Sequence, residues 1–276
     1  MISLLNTNKA VPPDRISNRM LKEVIHGVAH PLCLLFNKSL QNCKFHKEQK
    51  LAHVIPIFKS GDKSVVSNNR PIALLCTEKV AYKYIFNFLV DNSLIYEFQS
   101  GFMHGHSKSH QLIELTHEIM QSLDNQELIC LFFCDVSKAF DRVWLRGLLL
   151  KLERYGITGN LLRWLESYIS NREQQVIIKD TISLKGNLKA GVPQGSTIAS
   201  LVFLIFINDI ADDKLGLCRL FADATSVGER ALEINNQRFM VNIDLNNITH
   251  WAKQWLVKLN PEKNKNSVLQ YQALSS

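Results

Sequence analysis

No apolar run in this 276-residue sequence exceeds the seven residues of Leu201–Ile207, well below the roughly 18 that a membrane-spanning helix needs. A membrane partner is therefore not expected. The start, Met1-Ile-Ser-Leu-Leu-Asn, lacks both the basic residues and the apolar stretch of a secretory signal. Repeats, low-complexity tracts and long Gly/Ser linkers are absent, so the chain reads as one continuous module with subdomains. The six cysteines (Cys33, Cys43, Cys76, Cys130, Cys134 and Cys218) form no CxxC pair and no Cys/His cluster of zinc spacing. Four of them lie in apolar surroundings, as reduced, buried thiols do, which favours an intracellular protein, cytoplasmic or nuclear, over a secreted one. Acidic residues are in the minority, 25 against 32 Lys and Arg, for a formal net charge of +7. The imbalance is local: 11 basic and 4 acidic residues fall at or before Arg70, and the rest of the chain is balanced. That excess is either a solvated basic surface or a face that tracks the phosphates of nucleic acid or nucleotides. With 46% hydrophobic and 21% charged residues, the composition is that of a globular protein with a sizeable core.

The hydrophobic pattern predicts an α+β fold, a small sheet packed on helices. Met20, Leu21, Val24, Ile25 and Val28 recur at helical spacing behind Ser17 and Asn18, and Pro31 is expected to divide the 17–42 segment into two helices. Leu51–Phe58 reads as a strand followed by a turn at Lys59-Ser-Gly-Asp-Lys-Ser. Helices are predicted over 77–91, 107–123 with Ser107 as cap, 145–155 and 158–170, and a hairpin over 174–178 and 182–188. Residues 196–210 are apolar on nearly all sides, the signature of a buried helix. Val241, Leu245, Ile248, Ala252 and Trp255 mark one face of a long amphipathic helix.

Two short apolar strands, Leu131-Phe-Phe-Cys-Asp135 and Leu220-Phe-Ala-Asp223, each end on an aspartate. A carboxylate at the end of a buried strand is costly unless it is paired or binds a cation. On neighbouring strands the two would make a hard oxygen site suited to Mg²⁺ shared with substrate phosphates. A pair of such ions would activate an attacking oxygen and stabilise a leaving one. Taken singly, either aspartate reads first as a turn opener or a helix cap.

The surrounding blocks change that balance. Phe133-Cys-Asp135-Val-Ser-Lys-Ala-Phe-Asp141, Gly191-Val-Pro-Gln-Gly-Ser196 and Phe221-Ala-Asp223 occur in order behind Asn8-Lys-Ala-Val-Pro-Pro-Asp14, Val54-Ile-Pro-Ile-Phe-Lys59, Asn69-Arg-Pro-Ile-Ala-Leu74 and Gln99-Ser-Gly-Phe102. They are followed by Trp251, Trp255 and Leu259-Asn-Pro-Glu-Lys263. In this order and spacing the chain resembles the reverse transcriptase of non-LTR (LINE-type, jockey-like) retrotransposons over almost its whole length. The resemblance implies a right-hand polymerase of fingers and palm, with a small antiparallel palm sheet packed on helices and a missing or truncated thumb. It implies RNA-directed DNA synthesis with two Mg²⁺ ions on an RNA template and a DNA primer, from deoxynucleoside triphosphates. By the resemblance Asp135 and Asp223 are the catalytic metal-binding aspartates, with the Val136 carbonyl as a further metal ligand. Phe140 falls where these enzymes place the aromatic gate beneath the sugar 2′ position, and packing in the core is its alternative. Gln194 matches a residue lining the nucleotide and template pocket, Lys59 and Arg70 match fingers residues that hold the triphosphate, and Lys263 matches a lysine at the leaving pyrophosphate. His104, His106 and His110, with no matching cysteine or carboxylate cluster, read as solvated or template-contacting residues. Trp251 and Trp255, four apart on a helix, read as core.

The linear partition expected from the resemblance is an N-terminal helical extension over 1–50, a fingers-like region over 51–125, a palm over 126–265 interleaved with fingers elements, and a truncated C-terminus over 266–276. An endonuclease would be supplied elsewhere if the element is mobile. Several family residues are replaced. Ala224 stands where the second aspartate of Phe-Ala-Asp-Asp is usual, and Met103 stands for an arginine. Asn69 replaces an aromatic, Gln49 a tryptophan, His46 a proline, and Ala199-Ser200 a Gly-Pro. The frame of a polymerase with drifted positions leaves a second reading open, a catalytically inactive RNA-binding protein of the same ancestry.

Overall fold

The computed structural model describes residues 2–8, 16–74, 79–179, 181–213 and 216–260, together with the strand Lys265–Leu269. In chain order the elements are α1 (Asn18–Glu23), α2 (Ile25–Gln41), β1 (Leu51–Phe58), β2 (Asn69–Leu74), α3 (Lys79–Asp91), α4 (Lys108–Asp124), β3 (Leu128–Asp135), α5 (Leu145–Arg154) and α6 (Gly159–Ile169). They continue with β4 (Glu173–Ile178), β5 (Thr181–Ile182), β6 (Gly186–Asn187), α7 (Thr197–Asn208), β7 (Leu217–Phe221), β8 (Ala224–Ala231), α8 (Ile234–Gln254) and β9 (Lys265–Leu269). The chain is mixed α+β. It gathers into two compact units, Met1–Leu89 with Leu145–Val202 and Val90–Trp144 with Phe203–Ser276, so neither unit is one continuous stretch. No helix among the described residues is long and apolar enough to cross a membrane.

In the first unit the strand order is β2-β1-β4-β5, with β6 also on β4. β1 pairs antiparallel with β2 from His53 to Phe58 and in parallel with β4 from Leu51 to Val54. Pro56 lies beyond that limit, where β1 has no second strand partner among the described residues, and its cross-strand partner is Pro71. Two residues without an N–H thus face each other, and the ladder loses less than a proline in a central position would cost. The helical side is held by aromatic packing. Phe45 sits edge-on to Trp164 and Tyr168 at 5.3 and 5.1 Å between ring centroids, and Trp164 Nε1 donates to Ser39 Oγ at 2.9 Å. The buried Arg172 stacks over Tyr168 and donates to the carbonyls of Tyr168 and Gln49. The helix break expected at Pro31 occurs instead at Val24, and Pro31 lies inside α2. Gly27, whose carbonyl loses its partner to the proline, is exposed, as is Pro31, so water can satisfy the orphaned group.

The second unit is built on an antiparallel sheet of order β7-β8-β3-β9. Ile129 and Leu131 of β3 cluster with Leu115 and Ile119 of α4 and with Leu217 of β7. Cys130 and Cys134, which alternate with them, are buried as well, which is why β3 is an unbroken apolar run rather than an alternating one. Arg219, buried on β7, pairs with Glu114 and Glu118 of α4 and lies over the Phe98 ring, 3.7 Å from its centroid. Trp251 and Trp255 of the α8 end are both buried, and Trp251 Nε1 donates to Asp209 Oδ1 at 2.7 Å. β8 has no counterpart in the sequence-based expectations. Its Ala-Thr-Ser-Val-Gly-Glu-Arg-Ala has little apolar signal, and it is a strand because both its edges are paired, one with β7 and one with β3.

Candidate functional site

The β3–β8 ladder runs from Leu128 opposite Ala231 to Asp135 opposite Ala224. β7 and β8 close on the pair Phe221–Ala224, leaving Ala222 and Asp223 as a two-residue turn. One step past Asp135, the Val136 N–H donates to the Asp223 carbonyl at 3.1 Å. Val136 and Asp223 are therefore joined through their backbones. Asp135 and Ala224, the next pair along, do not hydrogen-bond to each other, and such pairs have Cα atoms only about 4.5 Å apart. On its other side Asp135 is held by Asn260, whose backbone N–H donates to the Asp135 carbonyl at 2.8 Å and whose Nδ2 donates to Oδ2 at 3.3 Å. Asp135, the last residue of β3, and Asp223, in the β7–β8 turn rather than at the strand end the sequence suggested, thus stand at one end of one sheet. Each is half-buried, whereas Ala224 is exposed.

The donor chemistry can be tested against a divalent cation. Two carboxylates and the backbone oxygen of Val136 are hard ligands of the kind Mg²⁺ takes when it also binds substrate phosphates. Among the described residues no group of three or more His, Cys, Asp or Glu side chains forms a metal cage. The donor set on the described residues is of the kind that suits a cation also bound by substrate oxygens.

The turn that carries Asp223 is strained. Ala222 has φ +55°, and of the two turn residues it alone is in the positive region. That is the pattern of a type II′ hairpin, which usually has glycine at this position. Alongside β7 runs Phe98–Gly101: Leu220 N–H donates to the Phe98 carbonyl and Ser100 N–H to the Leu220 carbonyl. The buried Gln99 side chain accepts from the Ala222 N–H. In the sequence this segment stands out only as a motif block. No local pattern marks Gln99, because its partner lies far along the chain.

Phe140 opens the short 3-10 turn Phe140–Arg142 that follows β3. Its half-buried ring stacks on Phe203 at 4.6 Å and meets Phe102 edge-on at 6.0 Å, so its orientation is set by two other rings. His106 Nδ1 lies 3.3 Å from Ser100 Oγ, next to Gln99.

Lys59, Arg70 and Gln194 belong to the first unit. Lys59 follows the end of β1, Arg70 lies on β2 opposite Ile57, and both are exposed at the same end of the β1–β2 hairpin. Lys59 N–H donates to the Asn68 carbonyl, which closes the hairpin behind them. Gln194 lies in the loop before α7, and its carbonyl accepts from the Ala73 N–H of β2. The next residue, Gly195, has φ +111°, and a Cβ there would stand 2.6 Å from the Ala73 carbonyl oxygen. Only glycine lets this loop lie against the strand. Lys263 lies outside the described residues.

Comparison with known proteins gives first the fold and then the family. The apo telomerase of Candida tropicalis, truncated from its C-terminal domain, superposes with a TM-score of 0.59 at 11% identity, over 83% of this chain and 52% of that one. A profile described as "Reverse transcriptase (RNA-dependent DNA polymerase)" matches residues 57–275, and the chain belongs to that family. Among curated relatives, the probable RNA-directed DNA polymerase from transposon BS of Drosophila melanogaster is 28% identical, over 99% of this chain. The RNA-directed DNA polymerase from the mobile element jockey of the same species is 29% identical, over 95% of it. The chain spans 32% and 30% of the length of these two relatives.

Proposed function

We propose that this chain carries the nucleotidyl-transfer core of an RNA-directed DNA polymerase from a non-LTR retrotransposon. In this reading the second unit is the palm and the β1–β2 hairpin of the first unit belongs to the fingers. The RNA template, DNA primer and deoxynucleoside triphosphates are the substrates, and an endonuclease acts from elsewhere in the element. Asp135 and Asp223, with the Val136 carbonyl, would hold two Mg²⁺ ions. When bound, these ions supply Lewis acidity at the primer 3′-oxygen and charge neutralisation at the leaving pyrophosphate. The Phe140 ring, held by its neighbours, would stand beneath the sugar and leave no room for a 2′-hydroxyl. Lys59 and Arg70 offer an ammonium and a guanidinium to triphosphate oxygens. Gln194 would line the nucleotide and template pocket on a loop pinned by Gly195, and Lys263 would neutralise or protonate pyrophosphate.

The observation that carries this reading is the presence of two aspartates, one ending β3 and one in the β7–β8 turn, at one end of the β7-β8-β3 sheet. The test is primer extension on poly(rA)/oligo(dT) in Mg²⁺ and in Mn²⁺, with Asp135→Asn as control and RNA binding measured on the same preparation. Extension that disappears in Asp135→Asn supports the polymerase. RNA binding with no extension in either metal supports the second reading, an inactive RNA-binding protein. That alternative is favoured by one feature, the exposed methyl of Ala224 where the family pattern has a carboxylate.

A further inference from the structure

Asp223 sits in a turn whose conformation its own residues do not favour. A non-glycine residue with φ near +55° resists that geometry, and such strain persists only where the surroundings over-determine it. Here the surroundings are Gln99 and Gly101. Gln99 is 1% exposed, and its Oε1 accepts two backbone N–H groups, from Gly101 at 2.7 Å and from Ala222 at 3.2 Å. Two donors converging on one end of the amide fix that end as oxygen. Gly101 completes the hold, since a Cβ there would lie 2.1 Å from the Ala222 nitrogen. The Gln99–Leu220 bridge ties this segment to β7 immediately before the turn. Gln99 Nε2 is enclosed and has no hydrogen-bond partner among the described residues. The oxygen end of the amide therefore carries both of the hydrogen bonds the side chain makes among the described residues.

We propose that Gln99 is a positioning residue of the site: its side-chain oxygen clamps the strained Ala222–Asp223 turn and so sets where the Asp223 carboxylate is presented to a divalent cation. This rests on the metal-binding reading of Asp223 given above. The clamp acts through the Ala222 backbone and not by contact with the cation. A carboxylate at position 99 would retain the acceptor, an aliphatic side chain would not, and glycine at position 222 would remove the need for a clamp.

The test uses the full chain, with Mn²⁺ binding followed by electron paramagnetic resonance and amide exchange at Ala222 followed in metal-free protein. In Gln99→Leu, Ala222 exchange should accelerate about tenfold, the size expected for one lost hydrogen bond, and Mn²⁺ affinity should fall by a similar factor. Gln99→Glu should restore both to near the wild-type values. The double variant Gln99→Leu/Ala222→Gly should recover Mn²⁺ affinity, which a general loss of packing would not allow. Asp223→Asn is measured alongside. If it binds Mn²⁺ like wild type, the metal reading of Asp223 fails. If it loses binding while a folded Gln99→Leu does not, the clamp fails alone. Should Gln99→Leu not fold, Gln99→Glu decides: fast Ala222 exchange or weakened Mn²⁺ binding in the folded variant overturns the proposal.

Discussion

Ala224 faces Asp135 across the ladder in the closest kind of cross-strand pair, and its side chain is exposed. An aspartate fits there without displacing anything buried. Electrostatic stabilisation by one positioned group is commonly worth ~3–4 kcal/mol, or roughly 10²–10³ in rate. Ala224→Asp is expected to raise single-turnover primer extension by about that factor while leaving RNA affinity nearly unchanged. The register adds a second expectation. Two carboxylates directly opposite repel, so metal-free Ala224→Asp should melt below the wild type, and Mg²⁺ should return the difference by binding the folded state. Robust extension by the unsubstituted chain would show that the missing carboxylate is no defect. Absence of any gain in a folded variant would move the defect to the drifted fingers positions. Asp135 and Asp223 were legible as residues because an apolar strand ending on a carboxylate is unusual. That residue 224 stands opposite Asp135 was not, since register depends on partners about 90 positions apart.

At the scale of elements, β8 and α8 meet through a buried acid pair. Glu229 is 1% and Asp244 0% exposed. Burial first, then hydrogen bonding to Asp244 and its charge, push the Glu229 carboxyl up to about 8 from an ordinary 4.5. The same glutamate, after burial itself, helps raise the Cys130 thiol on the neighbouring strand. The folded state therefore holds a proton that the unfolded chain releases near pH 4.5. The contribution of this proton to stability is full below that pH and is lost as pH rises through about 8. At roughly 1.4 kcal/mol for each pH unit separating the folded and unfolded carboxyl, the loss accumulated by about pH 8 is on the order of 5 kcal/mol. Glu229→Gln keeps a neutral hydrogen-bonding side chain, so its urea stability should match the wild type near pH 5 and exceed it by a few kcal/mol at about pH 8.5. Equal pH slopes for the two proteins would show that Glu229 ionises normally. β8 escaped the sequence reading for the same reason that it carries this pair. Its buried positions include Thr225 and Glu229, polar residues that a hydrophobic pattern does not register.

On the scale of the whole molecule the excess positive charge lies within the first 70 residues, and Lys59 and Arg70 are exposed together at one end of a hairpin. RNA affinity should fall steeply with salt, by about 0.7 in log–log slope for each single-strand phosphate neutralised. If Lys59 and Arg70 serve the triphosphate, Lys59→Ala/Arg70→Ala should leave that slope unchanged and raise the apparent KM for nucleotide. A slope smaller by about 1.4 would instead make them part of a general phosphate surface. The sequence alone determined the element types wherever burial is one-sided or complete. The amphipathic spacing of α6 and α8, the unbroken apolar runs of β3 and α7 and the Ser107 cap all act over a few residues, so they can be read locally. The order of the motif blocks likewise carried the family. Tertiary structure decided the rest: the parallel β1–β4 pairing, the continuity of α2 through Pro31, β8 between its two neighbours, and the Gln99 hold on a strained turn. The strand pairings and the Gln99 hold depend on groups brought together from distant positions, and the continuity of α2 depends on the exposure of Gly27 and Pro31. Hydrogen-bond partners and solvent exposure belong to the folded arrangement, and no local stretch of side chains encodes them.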